Sequence, residues 1–262
     1  MLKSICVGTG LMVLGVSQAA AVQVQVTVEN LAPDNGVSFA PLRVGFHSGV
    51  FDAFDEGLEA FLLDEASVAD APIVSIAEGG SGSTWFPAFE AADPTATLGT
   101  VVSDPAGPLL PGAVAVNTFT VDPSVNPYFT FGAMVIPSND LFVGNDSAIQ
   151  LFDANGNLAI TEILQTGAAV WDAGSEQAIA ANAAFLVGGT NADRVDENGV
   201  VTFELDELAV YDGLETAAGY FYDNSLISND SQILRISFAV IPEPATISGL
   251  ALLAPLALRR RG

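Results

Sequence analysis

The body of the chain opens on a strict alternation of apolar and polar residues. Residues 22–29 read Val-Gln-Val-Gln-Val-Thr-Val-Glu, and this period of two predicts a strand with one buried face. Residues 113–121 alternate similarly, whereas residues 128–136 are apolar almost throughout, which suits a central strand. Residues 233–241 alternate in part and close the body. Shorter strands are predicted at residues 41–47, 99–103, 148–152, 158–164 and 200–205.

Helical periodicity is clearest in one segment, residues 52–66. It places four apolar side chains, from Phe54 to Leu62, at helical spacing with acidic residues between them, which predicts a helix. Many short strands separated by turns, with little helix, predict an all-β fold. We expect an antiparallel β-sandwich of the C2-like type, with one or two short helices in its loops. No repeat and no internal linker divides residues 22–241, so we interpret them as one domain.

The N-terminal residues 1–21 are typical of a secretory signal peptide. Lys3 supplies the positive start, residues 5–16 form an apolar run, and Ala19-Ala20-Ala21 offers a cleavage site. This run is too short to span a bilayer permanently. The chain's one cysteine, Cys6, would leave with the signal. The exported protein would then have neither disulfides nor thiol chemistry, and its stability would come from core burial or bound metal.

The C-terminal residues 242–262 form a second targeting segment. Pro242-Glu243-Pro244 is followed by an uncharged stretch, residues 245–258, and then by three arginines, residues 259–261. This order resembles the PEP-CTERM sorting signal of Gram-negative bacteria. The resemblance implies transient membrane association through an inner-membrane C-terminal anchor, followed by delivery to the cell surface or extracellular matrix. The alternatives are a plain C-terminal anchor or a buried helix.

The charge balance of residues 22–241 is extremely acidic. This segment has 30 acidic residues but only three basic ones, Arg43, Arg194 and Arg235. Such a surface repels phosphate backbones, so we expect no binding to nucleic acid. It attracts divalent cations, although solubility in salty water is an equally good explanation of the acidity.

Two loops of the second half combine carboxylates, glycines and a large apolar residue. Asp140 follows a predicted strand and the turn-forming Pro137-Ser138-Asn139, while Asp172 and Glu176 lie four residues apart around Gly174. Calcium prefers six to eight hard oxygen ligands, which such loops can supply. Asp140, Asp172 and Glu176 are therefore candidate Ca²⁺ ligands, with Phe142 and Trp171 as core anchors. The alternative is that the two aspartates only cap turns.

These two loops resemble the signature loops of the spondin domain, a secreted β-sandwich of extracellular-matrix proteins. Residues 137–144 follow the family pattern Pro-Ser-x-Asp-aromatic-x-Val-Gly, except that Leu141 stands in place of the aromatic residue. Residues 171–176 follow the pattern Trp-Asp-Ala-Gly-Thr-Asp, with Glu176 replacing the last aspartate. The cysteines of animal members are absent. The resemblance implies a sandwich over residues 22–240 that binds calcium through Asp140, Asp172 and Glu176.

Together, the resemblance and the targeting segments imply a non-catalytic role in adhesion. The expected partners are an extracellular polysaccharide, such as that of a biofilm, or a surface glycan or protein. One rival is a carbohydrate-active enzyme of the matrix that uses paired carboxylates; another is a structural surface-layer subunit. A serine hydrolase is disfavoured because His47 is the only histidine and no Gly-x-Ser-x-Gly elbow is present. We expect that histidine at a strand edge or on the surface.

Overall fold

The computed structural model describes residues 21–60 and 71–242, and two antiparallel sheets dominate them. The predicted all-β sandwich is therefore confirmed. The first sheet has the strand order β5-β1-β12-β9. Its strands are β1 (Val22–Asn30), β5 (Val114–Val121), β9 (Glu162–Thr166) and β12 (Gln232–Ile241).

The second sheet has the order β11-β10-β7-β6-β3-β4, and β2 and β8 also pair with β6. Its strands are β2 (Ser38–Phe39), β3 (Leu42–His47), β4 (Thr97–Val101), β6 (Tyr128–Ile136), β7 (Leu141–Gly144), β8 (Ile149–Gln150), β10 (Trp171–Asp172) and β11 (Thr202–Phe203). Two short helices, α1 (Pro72–Ala77) and α2 (Trp85–Ala92), lie in the chain between β3 and β4.

The main core lies between the sheets and follows the predicted alternation. Val24, Val26 and Val28 of β1 are at most 1% exposed, while the residues between them are half-buried. In contrast, β6 is buried along almost its whole length, because α1 packs against it on the other face. A Cβ added at Gly132 of β6 would lie 3.0 Å from Cδ1 of Ile76 in α1. Layers on both faces explain why residues 128–136 are apolar almost throughout.

The helix predicted at residues 52–66 is wrong over residues 52–60, which have no helical structure, and its remainder lies outside the described residues. Gly57 has a φ of +80°, which a helix does not accommodate. Phe54 is nevertheless buried and packs edge-on against Phe142 and Trp171, with ring centroids 5.0 Å away in each case, whereas Leu58 is exposed. Residues 52–60 therefore have the apolar spacing of a helix but pack as an irregular segment.

The turn predicted between residues 148–152 and 158–164 forms, but it does not join a hairpin of two long strands. Asp153 accepts hydrogen bonds at Oδ1 from the backbone N–H groups of Asn155 and Asn157. Beyond a single bridge from Phe152 to Leu158, β8 pairs with β6 and β9 pairs with β12. The turn therefore carries the chain from one sheet to the other.

His47 lies at the end of β3 but is fully buried, so the expectation of a surface position is wrong. Its ring packs edge-on against Phe89, with centroids 5.0 Å apart, and Nε2 lies 2.9 Å from Oγ1 of Thr130. Burial lowers the pKa of His47 to about 4, partly opposed by the nearby charge of Asp93.

The predicted signal peptide (residues 1–21) and sorting segment (residues 242–262) lie almost wholly outside the described residues. Both stay predictions. In the described ranges, the helices are all too short or too polar to cross a bilayer.

Candidate metal centre

The turn between β6 and β7 fixes the position of Asp140. Ser138 donates a hydrogen bond from Oγ to the carbonyl of Val135 and accepts one from the backbone N–H of Leu141. These contacts close the turn on the two strands that flank it. Asp140 is thereby held immediately before β7, with no exposed surface.

The strand β10 brings Asp172 beside this turn. Its two residues pair antiparallel with β7, placing Trp171 opposite Phe142 and Asp172 opposite Leu141. Trp171 and Phe142 are both buried, and their rings stack with centroids 6.4 Å apart, so the two predicted anchors do lie in the core. Because side chains alternate along a strand, Asp172 points away from this aromatic face.

The loop after β10 wraps around one oxygen of Asp140. Oδ2 accepts hydrogen bonds from the backbone N–H groups of Ser175 (2.8 Å) and Glu176 (3.0 Å), and from Oγ of Ser175 (3.1 Å). The other oxygen, Oδ1, is buried and has no hydrogen-bond partner in the described part of the chain. A buried carboxylate oxygen without a partner is costly, so Oδ1 is available to a ligand.

Position 174 requires glycine for two reasons. The first is its φ of +66°, which side-chain-bearing residues rarely adopt. The second is space, because an added Cβ would lie 2.7 Å from backbone atoms of Gly199 and Val200. In this conformation the N–H of Gly174 donates a 2.6 Å hydrogen bond to Oδ1 of Asp172.

A third carboxylate, Glu207, completes a cluster with the two aspartates. One carboxylate oxygen from each of Asp140, Asp172 and Glu207 lies within 4.8 Å of the others. Glu207 belongs to a 3-10 turn, Asp206–Tyr211, and its Oε2 is also buried without a partner among the described residues. Both aspartates predicted from the sequence are thus brought together, with a glutamate that sequence reasoning missed.

The position of Glu207 is fixed through Tyr211 of the same turn. The hydroxyl of Tyr211 donates a 2.6 Å hydrogen bond to Oδ1 of Asn139, the residue before Asp140. The backbone N–H of Ile179 donates to the same amide oxygen. Asn139 therefore ties the turn that carries Glu207 to the loop that carries Asp140.

The carboxylate of Glu176 is not part of this cluster and has other partners. Its Oε1 accepts a hydrogen bond from Nδ2 of Asn139 (3.0 Å), and its Oε2 pairs with Nη1 of Arg194 (3.0 Å). The contribution of Glu176 to the cluster is its backbone N–H on Asp140. Its role as a direct ligand stays a prediction, which a variant can test.

The electrostatics of the cluster are those of crowded like charges. Burial and then the charge of Asp172 raise the pKa of Asp140 to about 8. Burial and the charges of Glu207 and Glu197 raise the pKa of Asp172 to about 6, and burial with the charge of Asp140 raises the pKa of Glu207 to about 7. Such groups need protons or a cation to lie this close at neutral pH.

The donor set fits a hard divalent cation. All three groups are carboxylates, two of their buried oxygens lack a partner among residues 21–60 and 71–242, and calcium and magnesium both prefer oxygen ligands. A bound cation would reverse the electrostatic cost by favouring the ionised forms.

No model of a known protein family matches the chain, and no curated protein matches it.

Sequence reasoning had little chance of finding Glu207. It lies 35 residues beyond Asp172, in the acid-rich run Glu204-Leu205-Asp206-Glu207, and nothing in its spacing distinguishes it from the other acidic residues. A weak signal was available: this run overlaps the end of the strand predicted at residues 200–205. Only the pairing of β11 with β10 brings that strand to the site.

Proposed function

We propose that this protein is an exported, calcium-binding, spondin-like module that acts without catalysis in adhesion at the cell surface or in the extracellular matrix. The observation that carries the proposal is the fully buried Asp140, whose Oδ1 has no partner in the described part of the chain and whose carboxylate lies within 4.8 Å of carboxylate oxygens of Asp172 and Glu207.

Calcium is favoured over magnesium because the centre offers three protein carboxylates, whereas magnesium is usually bound through one or two. Magnesium demands near-ideal octahedral coordination and keeps several waters, whereas calcium accepts flexible sets of carboxylates and waters. Asp172 and Glu207 are half-buried, which leaves a side of the cluster open to water ligands. We expect a dissociation constant typical of extracellular modules, roughly 10⁻⁴–10⁻³ M.

The adhesive role and the location are supported by sequence. The loops at residues 137–144 and 171–176 resemble those of matrix proteins, and residues 1–21 and 242–262 resemble export and sorting signals. A body without cysteine must gain stability by other means in an oxidising compartment, and a cation joining three distant segments is one such means.

The rival enzymatic role receives less support. A glycosidase needs two carboxyl groups that contact the sugar from opposite sides. Asp140 has no exposed surface, and its Oδ2 is occupied by three donors, so it is badly placed to reach a polymer. Assaying sugar release from matrix polysaccharides tests this rival directly.

Isothermal titration calorimetry with calcium and with magnesium tests the metal centre. The protein should bind one calcium ion, and Asp172→Asn should abolish the binding, because it removes one of the three charges. Asp230→Asn is the matched control, since Asp230 is exposed and lies in a surface turn. Equal calcium binding by the protein and by Asp172→Asn would refute the assignment.

Adhesion is tested on an array of glycans and phospholipids probed with calcium and with chelator. We expect retention on glycans that chelator weakens. Retention on none of the surfaces, with calcium binding intact, would leave the metal centre standing and refute the adhesive role.

A further inference from the structure

A polar cleft of about 360 Å³ lies next to the metal centre but does not contain its carboxylate cluster. One wall comes from α1 and the residues after it, including Ser75 and Glu78. The opposite wall comes from loops that include Asn182, Asn191 and Arg194. Asn139 and Glu176, which support the metal centre, also line this cleft. Its volume lies within the ordinary range of small-molecule sites.

Two residues that line the cleft, Asn182 and Glu78, each have a buried acceptor oxygen without a partner in the described part of the chain. Asn182 is only 6% exposed, and its Oδ1 has no partner among the described residues. Oε1 of Glu78 is likewise buried and has no hydrogen-bond partner among the described residues. Buried acceptors of this kind are uncommon in folded proteins because each one costs free energy until a donor reaches it. Both oxygens are buried, so a ligand in the cleft meets Asn182 through the rest of its amide, where a hydroxyl group can donate or accept a hydrogen bond.

The charges of the cleft select against an anionic ligand. Arg194 pairs with Glu78, with Glu176 (3.0 Å) and with Asp196 (2.7 Å), so one positive charge faces three negative ones. The remaining lining groups are mostly neutral hydroxyls and amides, which both donate and accept hydrogen bonds. The guanidinium at the centre of this network also disfavours a second metal ion.

We propose that this cleft binds one or two residues of a neutral polysaccharide, whose hydroxyl groups form hydrogen bonds with the Asn182 amide and with the serine and threonine hydroxyls that line the cleft. Sugar hydroxyls both donate and accept hydrogen bonds, and they add no negative charge. The inference deepens the proposed adhesive function, on which it rests, by naming the surface and the chemical class of the partner.

Saturation-transfer NMR tests the cleft with the purified protein. The neutral probes are cello-, malto-, manno- and galacto-oligosaccharides, and oligogalacturonate is the anionic counterpart. We expect transfer to at least one neutral probe and none to the galacturonate. Absence of transfer to every neutral probe, or stronger transfer to the galacturonate, would overturn the proposal.

Two variants locate the binding. Asn182→Ala should weaken the bound neutral probe roughly tenfold, the loss expected for one buried hydrogen bond. Gln150→Ala is the matched control, because it removes an amide from a different cleft. Asn191→Trp, at an exposed lining position, should fill the cleft without disturbing a buried group. Unchanged binding by Asn191→Trp would overturn the proposal even if Asn182→Ala fails to fold.

The two proposals can fail separately. Asn191→Trp should lose the sugar and keep its calcium binding in the titration calorimeter. Sugar binding that Asn191→Trp abolishes, in a protein that binds no calcium, would support the cleft and refute the metal centre. Calcium binding without sugar transfer would do the reverse.

Discussion

Replacing Asp140 with asparagine should stabilise the protein in chelator and abolish its stabilisation by calcium. The amide oxygen can keep the three hydrogen bonds that Oδ2 now accepts from Ser175 and Glu176. The amide nitrogen then takes the place of the partnerless Oδ1 and can donate to the carboxylates of Asp172 and Glu207. The variant keeps the shape of the site but removes one of its three charges.

The size of the effect follows from the raised pKa of Asp140, which is about 8 in the folded protein against an ordinary value of 3.8. At pH 7 without metal, this difference costs the fold on the order of 4 kcal/mol. Part of that cost is shared with Asp172 and Glu207, so we expect the variant to gain about 2–4 kcal/mol. For a domain of this size, the gain raises the melting temperature by about 5–15 °C.

The contribution of Asp140 to the free energy of unfolding depends on pH. A carboxyl whose folded pKa is raised contributes full stability only when protonated, and that stability is lost as the pH rises from about 4 towards 8. The advantage of Asp140→Asn in chelator should therefore shrink as the pH falls from 8 to 4. Calcium at about 100 times its dissociation constant should stabilise the unmodified protein by about 2.7 kcal/mol and leave the variant unchanged.

Urea denaturation in chelator and in calcium, across this pH range, measures both quantities. Asp230→Asn is again the control and should alter neither. The reasoning would be refuted if Asp140→Asn were less stable than the unmodified protein in chelator, or if calcium stabilised both equally.

Three further predictions concern the metal ligands, Gly174 and His47. Glu207→Gln should abolish calcium binding in titration calorimetry, whereas Glu176→Gln should retain it; the opposite result would restore Glu176 as the ligand predicted from the sequence. Gly174→Ala should lower the free energy of unfolding in urea by about 2–4 kcal/mol, through its positive φ and the 2.7 Å approach of the added Cβ to backbone; a loss below about 0.5 kcal/mol would contradict this geometry. The lowered pKa of His47 means that the unfolded chain binds the proton more readily, so stability is complete above pH 6.5 and falls towards pH 4. The unmodified protein should lose about 2 kcal/mol between pH 7 and 5 relative to His47→Gln, and parallel pH profiles would show that the histidine titrates normally.

The strands that alternate or stay apolar were predictable because a strand's pattern records which of its faces are buried. The predictions for residues 113–121, 128–136 and 233–241 agree with β5, β6 and β12 to within one residue at each end. Residues 52–60 were not predictable in the same way, since helical spacing of apolar residues also suits an irregular segment that packs Phe54 against the sheet.

The sequence by itself determined the all-β class and marked Asp140 and Asp172 as loop carboxylates, because a carboxylate beside a tight turn or a glycine is a local feature. The pairing of β10 with β7 brought these two aspartates together. The tertiary structure decided which third carboxylate joins them. Strand pairing brought Glu207 to the cluster from 35 residues beyond Asp172, and Arg194 drew the carboxylate of Glu176 into a separate ion pair. Local sequence constrains the backbone of a loop, but the partner of a buried charge depends on every segment that the fold packs around it.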